Sequence, residues 1–170
     1  MKHTISVLVE NHAGVLSKIS GLFSRRAFNI ESLAVGVTED PAISRITIVV
    51  SGSDHMVEQI EKQLNKLIPV IKVKALKEGS YISRTLTFFK VSSTLQKRPE
   101  ILKIAEMMSA KVVDVSPRTI TLEFSDTLEK TKALEGLLSP YGIREVVSTG
   151  AIAIEKGEHK TDRPVNPQNE

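Results

Sequence analysis

From residue 3 to residue 10 apolar and polar residues alternate, with Ile5, Val7 and Val9 on one side and Thr4, Ser6 and Leu8 on the other. A period of two predicts a half-buried strand. After the turn Asn11-His12-Ala13-Gly14 the period changes. Val15, Leu16, Ile19, Leu22 and Phe23 recur at helical spacing over 15–26, and Arg25 and Arg26 lie where cations complement a helix dipole. Alternation returns over 29–38 through Leu33, Val35 and Val37, breaks at Thr38-Glu39-Asp40-Pro41, and resumes over 43–51 through Ile46, Ile48 and Val50. Ser51-Gly52-Ser53-Asp54 supplies a loop and an N-cap. The helix that follows is striped by Val57, Ile60, Leu64 and Leu67 and stopped by Pro69, and Ile71, Val73 and Ala75 mark a strand over 70–76. The order β-α-β-β-α-β is that of a ferredoxin-like unit.

The same order then repeats with almost no shared residues. A strand over about 83–92 places Leu86 and Phe88 on one face and Phe89 and Val91 on the other. Gln96-Lys97-Arg98-Pro99 leads into a helix with Pro99 in its first turn and Ile101, Leu102, Ala105 and Met108 as its stripe. Strands over 111–115 and 119–124 flank Ser116-Pro117-Arg118, with Ile120, Leu122 and Phe124 alternating. Asp126 and Glu129 have the spacing of a capping pair. They open a helix carrying Leu128, Leu134, Leu137 and Leu138, which Pro140-Tyr141-Gly142 ends before a last strand over about 143–154. The expected fold class is α+β: two consecutive βαββαβ units with antiparallel sheets and helices on one face. The division falls near Glu78-Gly79-Ser80, giving domains 1–78 and 79–155 and a tail, 156–170, whose lack of apolar periodicity predicts disorder.

Composition narrows the function classes. Aromatic residues are 4% of the 170, with no Trp, so Ile, Leu and Val must fill both cores. Cysteine is absent, which excludes disulfides, thiol catalysis and cysteine metal sites. The net charge of +3 comes from 23 basic and 20 acidic residues, too near balance to imply nucleic acid. No aromatic side chain stands on 3–10 or 43–51, where an RNA-binding sheet of this topology would stack bases. No apolar run reaches the roughly 20 residues that span a bilayer, and the start lacks a secretory signal's apolar segment. A cytoplasmic protein with neither nucleic acid nor membrane as partner is expected.

Nothing in the chain assembles a nucleophile, a base and an orienting group. His3, His12, His55 and His159 are scattered, and no GxSxG, Walker A or GxGxxG run occurs. No Arg falls within 10–16, where a ferredoxin-like acylphosphatase would hold phosphate. No residue is assigned to catalysis or to a metal. The chemically suggestive segment is Glu10-Asn11-His12-Ala13-Gly14-Val15-Leu16, a strand-to-helix turn with glycine at the helix opening. Free N–H groups at a helix start favour anions, Gly14 permits close approach, and Asn11 offers both a donor and an acceptor. That combination suits the carboxylate and ammonium of an amino acid, although Asn and Gly serve equally well as plain turn residues.

Four runs carry a resemblance: Asn11-x-x-Gly14-Val15-Leu16, Gly21-Leu22-Phe23, Arg26-x-x-Asn29-Ile30-Glu31-Ser32-Leu33, and Ser44-Arg45-Ile46-Thr47. Residues 59–67 and Tyr141-Gly142-Ile143-x-Glu145 extend it. Over about residues 2–155 the chain resembles the small regulatory subunits of acetolactate synthase, whose N-terminal unit is an ACT domain. The resemblance implies a non-catalytic subunit, in branched-chain amino-acid biosynthesis, that activates a thiamine-diphosphate-dependent catalytic subunit and mediates feedback inhibition by valine. It implies a homodimer through the ACT domains, with the effector at the interface. Asn11, Gly14 and the N–H groups of Val15 and Leu16 would then hold the effector, and Asn29 and Ile30 of the partner chain would close the site. Thiamine diphosphate, Mg and FAD would belong to the catalytic subunit, which the second domain would contact, and no cofactor to this chain. The aliphatic candidates Val15, Leu16, Ile30 and Leu33 suit a branched side chain. A free-standing ACT sensor with a different partner shares all of this ligand chemistry.

Overall fold

The computed structural model describes residues 1–158. The described chain divides into two compact units, one of Met1–Ile82 together with residues 152–158, the other of Ser83–Ala151. The tail expected to be disordered lies, from residue 159 on, outside the described residues. No helix among those described is long and apolar enough to cross a membrane.

The first unit runs β1 (Lys2–Glu10), α1 (Val15–Arg25), β2 (Ile30–Val37), β3 (Ile43–Ser51), α2 (Asp54–Leu64) and β4 (Val70–Leu76). Its antiparallel sheet has the order β2-β3-β1-β4, which leaves β2 and β4 as edges. Ile5, Val7, Val9, Ile46, Ile48 and Val50 face Val15, Ile19, Leu22 and Phe23 of α1 and Val57, Ile60 and Leu64 of α2 in one core. Phe23 meets Phe28 edge to face, with centroids 6.2 Å apart.

Four expectations for this unit need correction. β1 is buried on both faces, not half-buried, because it is a central strand whose second side is also hidden: Thr4, Ser6 and Leu8 are all inaccessible, and Thr4 Oγ1 lies 3.1 Å from the Tyr81 hydroxyl. Leu16 is 44% exposed and leaves the α1 stripe, whose buried members are Val15, Ile19, Leu22 and Phe23. α2 ends at Leu64, before Pro69 could stop it, and Pro69 instead offers its carbonyl to Glu10 N–H at 2.9 Å. A register shift between Leu8 and Val9 leaves Ile71 unpaired and turns Val70 toward the core in its place. The N-cap is as expected, with Ser53 accepting from Met56 N–H.

The second unit runs β5 (Tyr81–Ser92), which begins in the first unit, α3 (Arg98–Met108), β6 (Lys111–Val115), β7 (Thr119–Asp126), α4 (Leu128–Leu138), a single 3₁₀ turn over Ser139–Tyr141 and β8 (Ile143–Ser148). Its strand order β6-β7-β5-β8 reproduces that of the first unit, and β9 (Ile152–Glu155) also pairs with β5. The last strand therefore forms as two, broken at Thr149-Gly150-Ala151, where Gly150 takes φ 80°. Phe89, Val91, Ile120, Leu122 and Phe124 pack on Ile101, Ala105, Leu134 and Leu138, whereas Leu102, Leu128 and Leu137 are exposed. The cap of α4 is Thr127, which accepts from Lys130 N–H, not Asp126 paired with Glu129. Asp126 accepts from Thr127 N–H instead, and that bond, followed by Lys130, holds its carboxyl below the usual carboxylate range.

Arg98 ties this unit together. Its guanidinium donates to Ser116 O at 2.7 Å and to Ser93 Oγ at 3.1 Å, fastening the β6–β7 turn to the end of β5. Arg98→Ala is expected to lose about 2 kcal/mol, the net worth of a hydrogen-bonded charged donor, read as a lower urea midpoint with an unchanged slope.

Candidate functional site

Gly14 precedes α1 at φ 87°, a left-handed conformation that glycine adopts without a Cβ penalty. Lys18 N–H donates to Gly14 O at 3.1 Å and starts the helical ladder. The N–H groups of Val15, Leu16 and Ser17 come before any i−4 acceptor, and no side chain caps them. α2 and α4 are closed by Ser53 and Thr127 at the same position. A Cβ built on Gly14 would meet nothing within 4 Å. The turn therefore presents N–H groups that no side chain caps, and the positive end of a helix dipole, to open space, an arrangement that attracts a small carboxylate.

Asn11 is fixed beside these donors. Its backbone N–H donates to Ala42 O at 2.8 Å and its amide to Pro41 O at 2.8 Å, so the 10–14 turn is locked to the 38–42 turn. With that donor engaged, Oδ1 is the acceptor left for an ammonium group. Thr38-Glu39-Asp40-Pro41 is legible in the sequence as a turn, but its grip on Asn11 is a tertiary fact. His12 bridges the same segment. Its Nε2 lies 2.9 Å from Glu10 Oε2 and its Nδ1 3.1 Å from Ala13 O. The Ala13 carbonyl first, and then Glu10, raise the ring's pKa above the usual histidine value.

Val15 spends its side chain in the core and offers only its N–H, while Leu16 stands exposed next to it. Asn29 is exposed, and Ile30 is half-buried against the core at the start of β2. Within one chain these two do not reach Gly14. Ile30 pairs with Val50, and Val50 with His3, at one end of the sheet. Val37 pairs with Ser44, and Ser44 with Val9, at the other. The eight residues of β2 from one end to the other make seven steps and span about 23 Å. In the second unit α3 likewise has no side-chain cap, but Arg98 N–H already donates to Thr94 O at 2.9 Å and Pro99 in the first turn has no N–H to offer.

The family model described as AHAS small subunit-like ACT domain matches residues 5–72, and the model described as small subunit of acetolactate synthase matches residues 84–157. The acetolactate synthase small subunit of Mycolicibacterium smegmatis is 50% identical over 155 residues, covering 91% of each chain. The chain belongs to the acetolactate synthase small-subunit family. A probable acetolactate synthase small subunit of Archaeoglobus fulgidus is 48% identical and matches over 94% of this chain and all of its own. The crystal structure of the acetolactate synthase small subunit from Thermotoga maritima superposes with a TM-score of 0.86 at 35% identity, covering 94% of this chain and 99% of that one. In this family the first unit is an ACT domain, and Asn11, Gly14 and the start of α1 occupy its first strand-to-helix turn.

Proposed function

We propose that this chain is the regulatory subunit of an acetolactate synthase, raising the activity of a thiamine-diphosphate-dependent catalytic subunit and inhibiting it when valine binds between the ACT domains of two chains. The chain itself contributes no catalytic residue; thiamine diphosphate, Mg and FAD belong to the catalytic subunit. The observation that carries the effector assignment is the uncapped start of α1 beyond Gly14, open to solvent beside Asn11. Valine's carboxylate takes the N–H groups of Val15 and Leu16, and its ammonium takes Asn11 Oδ1.

Dimer geometry supports the same reading. β2 is an open edge carrying exposed Val35 and Val37, the kind of edge that pairs with another chain. Antiparallel pairing of two β2 strands about a two-fold axis sets the start of one beside the end of the other. Asn29 and Ile30 of the second chain then arrive at the end of the sheet where Gly14 lies, across the roughly 23 Å that separates them within one chain. The half-buried Ile30 and exposed Leu16 supply an aliphatic wall for a branched side chain.

Calorimetric titration of the full chain with valine tests the assignment, with phenylalanine as control. Saturable binding near one site per chain is expected, weakened roughly ten- to hundredfold in Asn11→Ala by loss of a hydrogen bond to a charged group. Undiminished valine binding in Asn11→Ala would move the site elsewhere. No valine binding, alone or with the catalytic subunit, would end the effector reading.

A further inference from the structure

Both ring nitrogens of His12 face acceptors: Nε2 the Glu10 carboxylate at 2.9 Å, and Nδ1 the Ala13 carbonyl at 3.1 Å. A neutral imidazole carries one N–H and can satisfy only one of them, whereas the imidazolium donates to both. The local geometry therefore offers the cation one more hydrogen bond than the neutral ring. Its neighbours set the charge of the turn. Glu10 stands at the end of β1, and Lys18 in the opening turn of α1 acts on the ring in the opposite sense. In the adjoining 38–42 turn Asp40 accepts from Ala42 N–H, and Glu39 is exposed. When His12 is protonated, it and Glu10 are together neutral. When it is not, Glu10 stands as an uncompensated negative charge, and one of the two acceptors, Glu10 or the Ala13 carbonyl, loses its donor.

We propose that His12 sets how strongly the effector's carboxylate is held: as the imidazolium it clasps Glu10 and Ala13 O, cancels the Glu10 charge at the mouth of α1, and makes effector binding tighter at low pH than at high pH. This rests on the effector reading above. His12 is a positioning residue, acting through the turn and its field without touching the ligand. The sign follows from charge: the imidazolium cancels the Glu10 carboxylate beside an incoming carboxylate. Tight binding is present at low pH and is lost as the pH climbs through the value, above that of an ordinary histidine, that the clasped ring holds. By reciprocity, saturating effector makes His12 harder to deprotonate.

The experiment is valine titration calorimetry on the full chain between pH 5.5 and 8.5, where valine keeps its charges, for the wild type, His12→Gln and Glu10→Gln. The wild type is expected to weaken roughly two- to fivefold across this range, the scale of an exposed charge interaction at a helix start, and less at high salt. His12→Gln should be flat at the weaker level, and Glu10→Gln should shift the midpoint to lower pH. Valine bound with no pH dependence, or the wild-type profile surviving in His12→Gln, overturns the inference while leaving the effector site in place. Absence of valine binding at every pH overturns both together.

Discussion

Gly14→Asp is expected to abolish valine inhibition of the reconstituted enzyme while leaving activation by the subunit intact. The substitution places a carboxylate beside the three N–H groups that would otherwise receive the ligand's own. Two such charges about 4 Å apart repel by about 1 kcal/mol in water and about 4 kcal/mol at an effective dielectric of 20. The higher figure, appropriate to a site closed by a second chain, corresponds to a loss on the order of a thousandfold. The variant should still fold. Its Cβ would meet open space, and aspartate is among the residues that tolerate the left-handed conformation, which costs roughly 1–2 kcal/mol. Gly14→Ala separates the two effects, since it carries the same backbone strain without the charge and should retain most of its valine sensitivity. Assays of acetolactate formation against valine concentration, with each variant added to the catalytic subunit, decide the matter. A fully valine-sensitive Gly14→Asp complex means that the site lies elsewhere.

Phe23→Ala is expected to unfold or nearly unfold the first unit. Phe23 is 1% exposed at the centre of the core and stands edge to face with Phe28. Truncation of a buried phenylalanine costs about 3–5 kcal/mol, and loss of an aromatic pair adds about 0.5–1.5 kcal/mol. A unit of this size holds only about 5–15 kcal/mol in total. Urea denaturation followed by circular dichroism should show a large fall in midpoint, and valine binding should fail with it, because α1 and its open N-terminus are held in place by this core. Phe23→Leu, which keeps most of the volume, should recover both. A loss below about 1 kcal/mol would mean that α1 is positioned by something other than its buried face.

Arg98→Ala tests the other unit, and its comparison with Phe23→Ala shows whether the two units melt together. Agreement of the two variants' transitions with different probes would indicate one cooperative transition.

Most of the architecture was legible because each element announces its own period. Alternation at 3–10, 43–51 and 119–124 and the 3.6-residue stripes of α1 and α2 are local properties, and a βαββαβ order leaves few topologies open. Failures came where local pattern and tertiary context parted. Leu16, Leu102, Leu128 and Leu137 are apolar and near a stripe, yet they stand off the faces that the sheets cover. Ile71 fell to the wrong side because a bulge between Leu8 and Val9 shifts the register, and no periodicity rule reports a bulge. The break at Thr149-Gly150-Ala151 is hidden from periodicity because the apolar pattern continues through it, and Gly150 is its one local signal. At the site, Asn11 and Gly14 could be read from the strand-turn-helix spacing and from the family runs. Pro41, Ala42 and the Glu10–His12 clasp could not, since hydrogen bonds between two loops depend on where the sheet brings those loops.

By itself the amino-acid sequence determined which segments become helices and strands, which residues are apolar enough to form the two cores, and that a glycine-opened helix start follows β1, because these depend on neighbours within a few residues. Only the tertiary structure decided which faces are buried twice and where registers slip. It also locked the Asn11 turn to the 38–42 turn, and placed Asn29 and Ile30 a sheet's length from Gly14 in the same chain. Those outcomes depend on hydrogen bonds and packing between residues far apart along the chain, and no local pattern contains them.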